Sequence, residues 1–347
     1  MNRRHFLTAA SAFATAPIFA ATSPSRLRIG QIGTGHAHAS GKMAAMRSLP
    51  ALWEVVGVAE SDAARRAGLA KTEAYAGISL LSEEALLATP NLKAVAVETR
   101  IEESAATAMR CLKAGKHIHL DKPGALNLED YKTLRLGAEK DGLTVQMGYM
   151  LRYNPAFELL FKAIREGWLG EITEIDAAMG KLADSGTRKN IGSLPGGGMF
   201  ELGCHLIDAV LTILGKPTAV QAFSTPTQPD GVKDNQVAIL QYPKAIALIR
   251  CNHADPFGGP RRRFNVTGTE GTFEILPLES GKINLSLTKP AGGYKKGTQT
   301  FQLDVPKGRY DAEFVDLAKV IQEQTKLAWD AAHDIAVYET VMRAAGL

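Results

Sequence analysis

Cysteine is scarce in this chain: Cys111, Cys204 and Cys251 are the three among 347 residues. An odd, scattered set without metal-type spacing excludes a disulfide framework. No apolar run makes a convincing membrane span of about 20 residues, and no repeat, low-complexity tract or coiled-coil heptad is present. Charge of one sign is not in excess either. Lys and Arg number 40 against 36 Asp and Glu, and the N-terminal leader takes Arg3 and Arg4, leaving 38 against 36. That near balance argues against nucleic acid as the main partner. With 45% hydrophobic and 22% charged residues the composition is that of a soluble globular protein. The length exceeds the roughly 100–200 residues of one domain, so two are expected.

The leader reads NRRHFLTAASAFATAPIFAA. Paired arginines precede Phe6 and Leu7, then an apolar run rich in Ala and Thr, then small residues at Ala20 and Ala21. This is the layout of a bacterial twin-arginine signal, which exports proteins already folded; the plainer alternative is an N-terminal helix with two chance arginines. The expectation is a signal peptide over residues 1–22 and a periplasmic location. With no cysteine near the leader a lipid anchor is not expected, and a protein folded before export can keep free thiols.

From Leu27 apolar strands alternate with helical stretches. LRIGQIG, EVVGVAE, KAVAVET, HIHLDKP and LTVQMGYM are separated by segments of helical length, which implies a parallel sheet covered on both faces. The expected doubly wound domain occupies residues 26–148. After RYNP the rhythm changes. A helix from Pro155 precedes EITEIDAAMGKL, the helix FELGCHLIDAVLTILG, and then closely spaced strands from NQVAILQYP to KINLSL. They predict a second domain, 149–347, with a large, mostly antiparallel open sheet, helices on one face and two helical segments at its end.

Gly33 and Gly35 in IGTGHAH follow a strand and open a helix. The first glycine permits a tight turn, the second lets a pyrophosphate approach the backbone, and free N–H groups at the helix start hold phosphates. His38 stands at the third fingerprint position, where a small residue packs helix on strand, and is expected to disturb that packing. Glu60, ending the second strand, can accept from the adenine-ribose hydroxyls. A carboxylate there repels a 2′-phosphate and favours NAD over NADP. Arg65 and Arg66 would reverse the preference if they reached the phosphate, but both also read as solvated helix residues.

Asp121 and Lys122 lie just past the end of a parallel strand, the edge where open parallel sheets bind ligands. An ammonium there can donate to an alcohol or carbonyl oxygen, and Asp121 can orient it; Asp-Lys-Pro is equally a common surface turn. In GGGMFELGCHLID, Glu201 and His205 stand four apart, on one face of a helix. The carboxylate can fix the imidazole's tautomer, and histidine titrates nearest neutrality. The preceding glycines would let substrate approach the helix start.

Together, GTG at 33–35, AGKHIHLDKP at 114–123, RYNP followed by REGWLGEI, GGG with ELGCHLID, GTEGTFEI at 268–275 and the closing HDIAVYETVMRAAG resemble the glucose/fructose oxidoreductase, inositol dehydrogenase and MocA (Gfo/Idh/MocA) family. The resemblance covers nearly everything after the leader. It implies a Rossmann domain, a second domain whose sheet often serves oligomerisation, and hydride transfer between nicotinamide C4 and a sugar or polyol carbon. By position, Lys122 matches the family's active-site lysine and His205 its acid/base histidine. Glu201 stands where many members have Asp, and Asp121 where most have Glu. Thr99 matches the cofactor-side turn, although the usual following Pro is Arg100. Thr34, His36, Asp121 and Arg152 complete the residues expected to contact cofactor, with Arg152 also facing substrate as an alternative.

His36/His38 and His117/His119 form H-x-H pairs, but beside a dinucleotide loop no metal is expected. Arg261, Arg262 and Arg263 read as the charged entry to a strand, with an acidic substrate or partner subunit as the alternative. Cys204 reads as packing rather than a nucleophile, since adjacent helical residues point about 100° apart. The leading expectation is an NAD(P)-dependent oxidoreductase acting on a sugar, polyol or derivative, exported with its cofactor bound and regenerating it on the protein. A redox-cycling glycosidase or lyase is the second reading, and a noncatalytic sugar-binding module the third. A homo-oligomer is expected, and neither nucleic acid nor, after signal removal, membrane is expected as a partner.

Overall fold

The computed structural model describes residues 26–347; the leader expected over 1–22 lies outside them. Six short apolar segments, β1 (Leu27–Ile32), β2 (Trp53–Ala59), β3 (Leu80–Leu81), β4 (Leu92–Val97), β5 (His117–Leu120) and β6 (Val145–Met147), pair in parallel in the order β3-β2-β1-β4-β5-β6. This is the doubly wound arrangement, whose strand order reverses between β1 and β4 and leaves a crevice at their C-terminal ends. β4 is a nearly continuous apolar run because helices cover both its faces. The crossovers are α1 (Ala39–Ser48), α2 (Ala63–Leu69), α3 (Glu83–Leu87), α4 (Ile101–Lys113) and α5 (Leu128–Lys140). Side chains of Asp62, Ser82 and Asn127 accept the backbone N–H three residues on and set where α2, α3 and α5 begin.

After α6 (Pro155–Arg165) the chain enters the second sheet with β7 (Ile172–Gly180) and continues through α7 (Ser185–Ser193) and α8 (Cys204–Leu214). β8 (Ala219–Thr225), β9 (Asn235–Gln241), β10 (Ile246–Asn252), β11 (Arg263–Gly268), β12 (Gly271–Ile275), β13 (Lys282–Leu287) and β14 (Gly297–Gln302) complete it. The order is β14-β13-β12-β11-β7-β10-β9-β8; β7 runs parallel to β10 and the other neighbours are antiparallel. Alternation places Ile175, Ala177, Leu240, Ile249, Phe264 and Phe273 in the core.

The chain beyond residue 149 also packs back on the first sheet. α9 (Asp311–Ile321) returns to the first sheet, where Phe314, Leu317 and Ala318 pack with Ile29, Met43 and Trp53. Trp53 Nε1 donates to the Phe314 carbonyl at 3.0 Å. The last helix, α10 (Ala331–Ala344), packs against both α5 and α8. Two helices from the second part of the chain thus tie the halves together.

Candidate active site

Gly33, at the end of β1, has φ +84°, and a Cβ there would stand 2.5 Å from the Thr99 side chain and 2.7 Å from its backbone. Only glycine fits this turn. Thr99 follows β4, so its tight packing on Gly33 closes the floor of the crevice. Thr34 donates to Glu60 Oε2 through its backbone N–H (2.8 Å) and its hydroxyl (2.5 Å). The Asp62 N–H and the Arg65 guanidinium also donate to Glu60. Burial alone would raise the Glu60 carboxyl, but the bonds from Arg65 and Thr34 hold it below its ordinary value. A ribose hydroxyl reaching Glu60 therefore displaces one of these donors, and Arg65, nearly a third exposed, is the freest. Gly33, Glu60, Arg66 and Thr99 line a cleft of about 510 Å³. An obligate glycine after β1, a short loop leading into α1 and a carboxylate just past β2 fit a dinucleotide.

His38 does not disturb the helix packing as expected. It precedes α1 and turns away from the strand, with Nδ1 3.0 Å from Asp121 Oδ2 and its ring 5.5 Å from that of Tyr310. His36 donates its backbone N–H to the Glu98 carbonyl, and its Nδ1 stands 3.4 Å from Asp121 Oδ2. Asp121 therefore serves the histidines of the glycine loop. It does not hold the lysine side chain: its Oδ1 accepts the Lys122 backbone N–H at 2.7 Å.

Lys122 reaches across to the second domain, where Nζ donates to the Glu201 backbone carbonyl at 2.6 Å. The expected single helix here begins instead with a π turn, Met199–Gly203, before α8. Such turns recur at functional sites. Burial is the largest single influence and would lower the Lys122 ammonium, but Glu201, Cys204 and Asp121 together outweigh it and hold the pKa above its ordinary value. One of three N–H donors is used by the carbonyl, leaving two for a ligand.

His205 lies at the start of α8, buried, with Nδ1 lacking a hydrogen-bond partner among the described residues and its ring edge-on to Tyr149 at 5.9 Å. Burial, reinforced by the Lys122 charge, depresses its pKa well below the ordinary imidazole value. Glu201 does not fix its tautomer, because the carboxylate is engaged elsewhere: Oε1 accepts from Lys181 at 3.1 Å and Oε2 pairs with His253 Nε2 at 2.8 Å. Burial would raise Glu201, and Lys122, His253 and Lys181 together hold it well below. Cys204 is buried and its thiol is pushed up to about 12 by that burial, which fits packing.

The glycine run also has another purpose than admitting substrate. A Cβ on Gly197, at φ +60°, would meet the Lys233 carbonyl at 2.6 Å, and one on Gly198 the His253 ring at 2.5 Å. The glycines seat His253 beneath Glu201. Arg152 lines a cavity with Tyr153, Thr212 and Trp329. It is buried beneath Tyr149, with its guanidinium 4.7 Å from that ring, and bonds Asp208 and Asp334. Asp208 sits one turn beyond His205, so Arg152 anchors the helix that carries the imidazole.

Two models of one family match in succession: the NAD-binding Rossmann fold of the GFO/IDH/MocA oxidoreductases over residues 27–149, and the GFO/IDH/MocA C-terminal domain over 157–274. The chain belongs to the GFO/IDH/MocA oxidoreductase family. Among GFO/IDH/MocA-like relatives, bovine trans-1,2-dihydrobenzene-1,2-diol dehydrogenase is 27% identical over 230 residues, 64% of this chain and 66% of that protein. The match thus spans just under two thirds of that relative. The scyllo-inositol 2-dehydrogenase (NADP(+)) IolW of Bacillus subtilis is 27% identical over 204 residues, 57% of this chain and 54% of that one. A levoglucosan dehydrogenase solved with NADH and levoglucosan shares the fold, with TM-score 0.78 at 19% identity over 93% of this chain and 98% of that one. The first domain of this chain carries the NAD-binding Rossmann fold of the GFO/IDH/MocA oxidoreductase family.

Sequence reasoning missed Lys181 and His253. Each follows directly on the end of a strand, and register explains their meeting: Asn252 pairs with Gly180 across the parallel β7–β10 ladder, so the next residues of both strands emerge together. No local signal pairs those strands. It also missed Glu98, buried beside the glycine loop.

Proposed function

We propose that the protein is an NAD-dependent dehydrogenase of a sugar, polyol or related hydroxyl compound. The observation that carries this is the meeting of Lys122, from the end of β5, with the turn that presents His205, a charged donor beside a neutral imidazole. Oxidation would proceed by breaking the substrate C–H bond while its hydroxyl proton passes to His205 and a C=O bond forms. Lys122 donates to that oxygen throughout and stabilises negative charge as it develops. The cofactor, when bound, supplies the C4 position that takes the hydride. Tyr149 packs the imidazole in place, and Glu201, held by Lys181 and His253, presents a fixed acceptor to substrate hydroxyls.

Relatives named for a dihydrodiol, an inositol and levoglucosan support a hydroxyl-rich substrate. The leader supports export of the folded protein with its cofactor bound. The outward face of the second sheet, with Phe223 and Ile246 exposed, supports a homo-oligomer. The decisive test supplies NAD and a panel of sugars and polyols to purified protein and follows reduced cofactor. Turnover with one class supports the reading, whereas release of an aglycone from a glycoside without net reduction replaces it by a redox-cycling glycosidase. Fractionation of cells making the full chain, with and without Arg3 and Arg4, tests the export reading.

A further inference from the structure

We infer that Arg309 is a specificity-determining residue that holds a carboxylate of the substrate, so that the compound oxidised is a sugar acid or a similar hydroxy acid rather than a neutral sugar. This rests on the dehydrogenase reading of Lys122 and His205 and narrows its class of substrate. The sequence marks Arg261, Arg262 and Arg263 as arginines that an acidic substrate could meet, but the structure occupies all three. Arg261 pairs with Asp255 at 2.9 Å, Arg262 with Glu279 at 2.6 Å and Arg263 with Asp176 at 2.9 Å. Arg309, in the turn before α9, belongs to no motif. Two contacts fix where its guanidinium stands: Nε donates to Met150 Sδ at 3.0 Å, and the group lies 5.8 Å from the ring of Tyr310. Met150 follows Tyr149, whose ring meets His205 edge-on. Tyr310 lies 5.5 Å from the ring of His38, which bonds Asp121 beside Lys122. The guanidinium is thereby tied on one side to the wall that carries His205 and on the other to the wall that carries Lys122.

Its charge is felt at both reacting groups. Burial and Lys122 lower the His205 pKa first and Arg309 adds to them, while at Lys122 it works with burial against Glu201, Cys204 and Asp121. What Arg309 lacks is a good acceptor. A thioether accepts weakly, and among the described residues Arg309 makes no hydrogen bond to an oxygen and has one carboxylate within salt-bridge distance, Glu279 at 3.8 Å. That carboxylate is already held by Arg262, so two guanidinium groups share one negative charge. Arg262 is well covered and also donates to the Gly180 carbonyl at 3.1 Å. Arg309 is half exposed and is the member of the pair that can meet another anion. One unmatched positive charge suits one carboxylate, and the planar guanidinium can grip it with two parallel N–H bonds. Arg309, Met150, Arg262 and Glu279 also line a cavity of about 420 Å³, a size that takes a small molecule.

The test measures binding rather than turnover. The full chain, loaded with NADH so that no oxidation occurs, is titrated by calorimetry with paired probes: glucuronate and glucose, galacturonate and galactose, gluconate and sorbitol. Expected is an acid that binds about tenfold or more tightly than its neutral partner, the scale of a hydrogen bond to a charged group. The ratio should fall toward unity in Arg309→Met and be partly kept in Arg309→Lys, which retains the charge without the planar fork. Arg261→Gln, which removes an exposed arginine already paired with Asp255, should leave the ratio as it was. A panel in which no acid binds more tightly than its neutral partner overturns the inference, as does a preference that Arg309→Met leaves intact. An acid that binds through Arg309 yet is never oxidised by NAD refutes the dehydrogenase reading alone. Reduction of NAD by a neutral polyol, with the same KM in Arg309→Met, refutes the role of Arg309 alone.

Discussion

Lys122 Nζ lies 2.6 Å from the backbone carbonyl oxygen of Glu201, joining the end of a Rossmann strand to the π turn that opens the helix of His205. A carbonyl oxygen has two lone pairs, so it can hold the ammonium while serving the backbone. The lysine is thereby fixed with two protons free.

Replacing it by a group of similar length without charge isolates that contribution. Lys122→Met should lower kcat by roughly 10²–10⁴, the usual worth of a positioned acid or base. NAD affinity, measured by fluorescence titration, should change little, since the Gly33 turn and Glu60 lie elsewhere along the sheet edge. A large loss of affinity with kcat preserved would make Lys122 a cofactor residue.

The depressed pKa of His205 fixes the sign of a pH effect. Its imidazole normally titrates at 6.5, and burial together with Lys122 pulls it well below that. The neutral, proton-accepting form therefore persists as pH falls through 6.5. The acid limb of kcat/KM for oxidation should lie below 6.5, and a limb at or above that value would exclude His205 as the acceptor.

Glu60 and Arg65 set cofactor choice as a pair. Removing the negative charge with Glu60→Gln leaves Arg65 available to a 2′-phosphate and removes the repulsion. The ratio of kcat/KM for NADP to that for NAD should rise by about tenfold or more, since each tenfold needs only about 1.4 kcal/mol. No change in the ratio would place cofactor choice on other residues, Arg66 first.

Arg152 predicts stability rather than catalysis. Arg152→Leu strips a buried guanidinium from Asp208 and Asp334, and breaking a buried pair from one side costs about 3–5 kcal/mol. Arg135 and His333 still reach those carboxylates, so the lower end is expected, read as a fall in the urea midpoint. An unchanged midpoint with altered KM would return Arg152 to the substrate groove.

Much of this was legible in the sequence. The first sheet follows from apolar runs with helical spacers, and Gly33, Lys122 and His205 from their motifs. The second sheet's two edges were not foreseen: β8 and β14 lie at its outer margins, where strands bury little and AVQAFST and GTQTFQ carry a weak apolar signal. The partners of Glu201 were also hidden. Spacing four apart suggested His205, but the π turn sends the carboxylate to Lys181 and His253, which reach it through strand pairing that no local pattern encodes. Asp121 shows the same limit, lying beside Lys122 in sequence while its side chain serves histidines 83 residues away from it at His38.

The return of α9 to the first sheet has a consequence for synthesis. As the polypeptide leaves the ribosome, the apolar floor formed by Ile29, Met43 and Trp53 stays uncovered until residues near 321 emerge, long after the last strand of that sheet. A fragment ending at 148 would expose that floor and stick to itself. Completion of the nucleotide-binding half is thus postponed until α9 is made, so a cofactor that needs the finished crevice is captured only after both sheets have been synthesised.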